Sequence, residues 1–99
     1  MFFSRSDLEK TLRGKKTQTR RLSDKYQVGH TYGIRTWIYE KALARIRITG
    51  KRTERLGDIS TEDLQREGYD SLEDFKKAWI NFYAKKMGWH PELLVWVYD

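Results

Sequence analysis

Eight cations between Lys15 and Arg55 are of types that contact phosphate: Lys15, Arg20, Arg21, Arg45, Arg47, Lys51, Arg52 and Arg55. Interleaved with them, Tyr26, Trp37 and Tyr39 carry ring faces on which an unpaired base stacks. Ordinary packing inside a small fold is the other use open to those rings. From Lys10 to Arg55 there are fourteen Lys/Arg against three acids (Asp24, Glu40 and Glu54), so this stretch carries +11 of a total of +6 and the rest carries −5. Such a division suits a basic half that meets a polyanion, or a heavily charged wet surface. His30 and His90 are far apart in the chain, and with no Cys the sequence has no metal-ligand spacing and no Ser-His-Asp arrangement. No glycine-rich phosphate loop follows a strand pattern. No cofactor and no metal are expected.

The elements that position these residues are read from caps and periodicity. With 99 residues there is room for one core, so residues 1–99 are read as a single domain. The absence of Cys leaves that core to be held by packing alone, and four Trp, six Tyr and four Phe supply the buried area despite 34% charged residues. The longest apolar run, Leu93 to Tyr98, is far shorter than the ~20 residues of a spanning helix. Met1 to Lys10 lacks the apolar stretch of a signal peptide. A cytoplasmic protein that does not meet the membrane, monomeric in the simplest case, is expected.

Ser6-x-x-Glu9 forms a capping box, and Gly14 suits the left-handed residue that ends a helix, which predicts a helix over 6–13. The following KKTQTRRL has no helical period and predicts an extended segment. Strands are predicted within 31–39 and through ALARIRITG, where Ala44, Ile46 and Ile48 alternate with Arg45 and Arg47, with Gly50 marking a bulge or turn. Ser60-x-x-Asp63, with Ile59 and Leu64 as a staple, starts a short helix that Gly68 stops. Ser71-x-x-Asp74 starts a longer one reaching about Lys86, with Leu72, Phe75, Trp79 and Phe82 as a core stripe and Tyr83 beside it. LLVWVYD, apolar on both faces, predicts a closing central strand, with Trp96 in the core. Gathered rather than alternating helices indicate an α+β fold, which a small β-barrel with peripheral helices satisfies.

In order along the chain, GKKTQTRRL, YQVGHTYGIR, ARIRITGKR and LQREGYDSLEDFKKAWINFY resemble the signature of the ASCH family. The resemblance spans nearly the whole chain and implies a PUA-like β-barrel with a cleft and an RNA-related role. In some small bacterial members it implies an amidohydrolase acting on N4-acetylcytidine. Matched by position, the Lys, Thr and Glu of the amidohydrolase type fall on Lys16, Thr19 and Glu67, and Arg21 matches the arginine that closes the first motif. Arg20 is a departure, a basic residue where small members often carry an apolar one.

A Lys, a Thr and a Glu form a legitimate hydrolytic set. A hydroxyl needs a base, a Lys can serve when burial or neighbouring cations such as Lys15, Arg20 and Arg21 lower its pKa, and Glu67 would orient the Lys, relay a proton to the leaving amine or position the deacylating water. Strict strand alternation would place Lys16 and Thr19 on opposite faces, so convergence requires a bend between them. Two functions therefore stand: an RNA- or nucleotide-binding domain with a basic cleft, or a metal-independent amidohydrolase removing an acyl group from a modified nucleoside. The corresponding partner is RNA or a modified nucleoside.

Overall fold

Helix α1 (Arg5–Leu12) starts two residues before the capping box would place it, because Ser4 rather than Ser6 is the N-cap and its Oγ accepts from the Asp7 amide at 3.0 Å. Asp7 in the first turn and Lys10 in the last complement the helix dipole. Gly14 takes φ 74°, the left-handed conformation expected of it. The structure is a computed structural model and describes residues 1–37, 40–83 and 88–99.

Regular pairing begins only at β1 (Thr19–Arg21), so of the extended segment expected over KKTQTRRL only residues 19–21 pair in a sheet and Lys15 to Gln18 form its unpaired approach. β2 (Thr31–Ile34) pairs antiparallel with β3 (Ala44–Arg47), and β4 (Lys51–Arg55) pairs antiparallel with β5 (Leu94–Tyr98). β5 also pairs with β1, which makes the sheet order β1-β5-β4 and puts the apolar C-terminal strand in the centre, as its two-faced hydrophobicity requires.

The basic strand predicted through ALARIRITG divides between two sheets. The Ile48 amide donates to the His30 carbonyl on the β2 side, while the Thr49 amide donates to the Asp99 carbonyl beyond β5. Consecutive amides thus serve different sheets, and the chain crosses from one to the other before Gly50. Among the described residues the sheets have three and two strands and do not close on themselves, so the expected barrel reduces to a mixed α+β fold.

A 3-10 turn (Leu56–Asp58) leads to α2 (Thr61–Glu67), whose N-cap is Ser60, accepting from the Asp63 amide at 3.1 Å. Gly68 caps it at φ 91°, a left-handed conformation that selects glycine. Helix α3 (Leu72–Tyr83) follows its Ser71 cap; the expected continuation to Lys86 lies outside the described residues. Phe75 and Trp79 of its stripe enter a core with Leu56, Leu64 and Val95. Leu72 and Phe82, expected in that core, are 38% and 41% exposed instead. Two smaller clusters, Phe3-Leu8-Ile34 and Tyr26-Ile48-Tyr98, join α1 and the two sheets. Trp96 is only half-buried, with Lys51 Nζ 4.8 Å above its ring.

Candidate active site

The last carbonyls of α2 lack helical partners, and the Arg66 carbonyl accepts from the amides of Thr17 (2.7 Å) and Gln18 (3.1 Å). That clamp lays the approach to β1 against the end of α2 and so brings Lys16 to Glu67. Lys16 Nζ lies 2.5 Å from Glu67 Oε1 and 3.4 Å from the Glu67 carbonyl. The bend that convergence required is supplied by residues 15–18, which are not in a strand, so Lys16 escapes strand alternation. Lys16, Thr19 and Glu67 are all buried, and all three line one narrow slot of about 40 Å³ together with Asp7, Arg21, Tyr69 and Phe82. Thr19 does not take Lys16 as its partner in this state; its Oγ accepts from Arg21 Nε at 3.3 Å.

Asp7, Tyr69, Ala78 and Phe82 are also walls of a wider groove of about 770 Å³, where Phe2 and Trp37 stand exposed. This groove falls in the size range of small-molecule sites, about 300 to 1,000 Å³. Tyr69 donates to Asp7 Oδ1 at 2.9 Å, and burial first, then the Asp7 charge, pushes its phenol well above the ordinary tyrosine value. It therefore stays a neutral donor at the junction of slot and groove. Lys16 and Thr19 also line a second cavity of about 200 Å³, together with Ile46, Arg47 and Tyr98.

Arg20 also lines the slot, but its guanidinium is taken up by carboxylates. Its side chain is 0% exposed and binds three carboxylates: Glu67 Oε2 at 3.0 Å, Asp63 Oδ2 at 3.1 Å and Glu54 Oε1 at 2.9 Å. It also donates to Gln18 Oε1 at 2.6 Å. The phosphate role expected of Arg20 is therefore replaced by a structural one, since a guanidinium enclosed by protein acceptors has no face left for a phosphate. Arg52 joins the same network through Glu54 at 2.6 Å and Asp63 at 2.7 Å, with its side chain 43% exposed. Burial alone would raise the Asp63 carboxyl. Hydrogen bonds from Arg66 and Gln18 and the charges of Arg20 and Arg52 outweigh that and hold it below the ordinary carboxylate value.

The remaining cations do not gather in one depression. Arg45, Arg47 and Arg55 are exposed, with Arg47 on the 200 Å³ cavity, and Lys15 is exposed beside Lys10 and Arg13 in another hollow. Lys51 donates to the Asp24 carbonyl. Tyr26 is buried, edge-on to Tyr32 and Tyr98 at 4.9 and 5.3 Å, so it serves the core rather than a base; Tyr39 lies outside the described residues. Gln18, Asp63, Tyr69 and Asp7 were not evident as site residues. Their only local signals are the caps at Ser4 and Ser60, which explain the two acids without reference to a site.

A crystal structure of an ASCH domain from Lactobacillus crispatus JV V101 superposes on this chain with a TM-score of 0.76 at 21% sequence identity, covering 95% of this chain and 68% of that one. No family model and no curated protein matches the sequence. The fold is that of an ASCH domain.

Proposed function

We propose that the chain is an amidohydrolase that removes an acyl group from the exocyclic amine of a nucleobase, with Thr19 as nucleophile, Lys16 as base and Glu67 as proton relay. The observation that carries this reading is the convergence of three buried functional side chains on one slot. The aromatic groove beside it, with Phe82, Trp37 and Phe2, offers ring faces for the base, leaving the acyl amide to enter the slot. Lys16 already shares a 2.5 Å contact with Glu67 and passes a proton to that carboxylate before accepting the one from Thr19. The hydroxyl oxygen then bonds to the acyl carbon, the carbon–nitrogen bond breaks, and Glu67 returns its proton to the leaving amine. Water hydrolyses the resulting ester to free carboxylate and restores the hydroxyl. Incubation of N4-acetylcytidine with the protein and a chelator is the test: cytidine release abolished by Thr19→Ala is expected. No release by the intact protein overturns the reading.

The second reading, RNA or nucleotide binding without catalysis, is favoured by the exposed Arg45 and Arg47 on one face of β3 and by the exposed ring of Trp37. It predicts binding to short single-stranded RNA that weakens with salt by a log–log slope of about −0.7 per phosphate contact. Salt-insensitive binding, or none at low salt, would remove it.

A further inference from the structure

Arg21 is the one residue of the first basic motif whose guanidinium meets the Thr19 hydroxyl. Thr19 and Arg21 are two residues apart on β1 and share a face, with their register fixed by Thr19↔Tyr98 and Arg21↔Trp96. Arg21 Nε donates to Thr19 Oγ1 at 3.3 Å, while Nη2 donates to the Phe2 carbonyl at 2.7 Å. Its planar head lies between two rings, 5.0 Å from the centroid of Phe3 and 5.0 Å from that of Phe82. A guanidinium held by a carbonyl and two ring faces is set in position before any ligand arrives. This also accounts for Phe82 standing at the slot, partly exposed, instead of in the core.

We infer that Arg21 is a positioning residue for the nucleophile: it fixes the rotamer of the Thr19 hydroxyl and stabilises the negative charge that grows on its oxygen. The inference rests on the amidohydrolase reading. A threonine hydroxyl has one hydrogen and two acceptor positions. With one acceptor position taken by Arg21 Nε, the hydrogen is turned towards the remainder of the slot, where the Lys16–Glu67 pair lies. As that proton leaves, the adjacent cation offsets the charge left behind, and Arg21 itself gains or loses no proton in the step. A lysine keeps the charge yet lacks the fork that reaches Phe2 and Thr19 together.

The experiment compares wild type, Arg21→Lys and Arg21→Ala for kcat/KM on N4-acetylcytidine across pH, with the folded state of each verified by thermal melting. Arg21→Ala is expected to lose about 10²- to 10³-fold. Its activity should also need higher pH than wild type, and millimolar guanidinium should partly restore it by filling the space between Phe3 and Phe82. Arg21→Lys should fall between the two. Activity in Arg21→Ala close to wild type overturns the inference, as does a loss with an unshifted pH profile and no rescue, which marks a merely structural anchor. Each of these outcomes leaves the hydrolase reading standing as long as Thr19→Ala is inactive. Absence of turnover by the wild-type protein overturns both.

Discussion

Lys16 Nζ and Glu67 Oε1 lie 2.5 Å apart across 51 residues of sequence, with side chains 4% and 3% exposed. The pair belongs at once to the slot and to the seating of the approach to β1 against the end of α2, so its removal acts on the fold as well as on chemistry. An ammonium or carboxylate left alone in such a place retains its desolvation penalty without the compensating partner. Lys16→Met and Glu67→Leu are each expected to lower the stability by about 3 to 5 kcal/mol. Combining them should lower it by less than the sum, because the double variant leaves neither charge behind. Urea unfolding midpoints of the two single variants and the double decide this, and additive losses would show that the pair does not act as a unit.

Arg20 separates the structural cations from those free to meet a polyanion. Arg20→Met removes the buried cation that Glu54, Asp63 and Glu67 share, leaving them only Arg52, Arg66 and Lys16, and is expected to cost about 3 to 5 kcal/mol in the same unfolding measurement. Arg47→Gln on the exposed face of β3 should leave stability within about 0.5 kcal/mol of wild type. If RNA binds, that variant should reduce the salt slope by about 0.7. A folded Arg20→Met protein should keep the wild-type slope.

Asp63 ties stability to acid. Its carboxyl is held below the ordinary value of 3.8 in the folded chain, so the unfolded chain binds the proton more tightly. The associated stability is present in full above about pH 4 and is lost as pH falls through the lower folded value. Thermal melts across about pH 2 to 6 should therefore show a steep acid decline that Asp63→Asn makes shallower, starting from a lower plateau. An unchanged slope in the variant would place the acid sensitivity elsewhere.

How far these arrangements were legible in the sequence depends on the range over which each cause acts. The caps at Ser60 and Ser71, the stop at Gly68 and the central place of Leu94–Tyr98 follow from residues within a turn or a strand of one another. The start of α1 was misplaced because Ser4-x-x-Asp7 and Ser6-x-x-Glu9 overlap and both satisfy the same local rule. Arg20 looked like a surface cation, since its carboxylate partners lie 34, 43 and 47 residues away and no local pattern announces them. Periodicity assigned Phe82 correctly to the face of Phe75 and Trp79. It could not show that the end of this face borders a slot in which Arg21 takes up the ring. The expected barrel is not closed among the described residues, whose strands fall into sheets of three and two that meet where the neighbouring Ile48 and Thr49 amides turn to different partners.

If Lys16, Thr19 and Glu67 act as one catalytic unit, their contributions cannot add. Removing Thr19 deletes the atom that bonds to the acyl carbon, after which a base has no hydroxyl to deprotonate and a relay no proton to carry. Removing Lys16 leaves a hydroxyl without a base, and Glu67→Gln leaves that base without the carboxylate 2.5 Å away that exchanges protons with it. Thr19→Ala, Lys16→Met and Glu67→Gln should each lower kcat on N4-acetylcytidine by about 10³-fold or more, and the paired variants should fall little further. The stability losses expected at Lys16 and Glu67 require that every rate be taken below the onset of unfolding for that variant. Thr19→Ala, which removes no charge, is the reference in the series. Losses that multiply across the pairs would show that the three side chains work independently. Cytidine release persisting in Thr19→Ala would refute the nucleophile and with it the assignment of the unit.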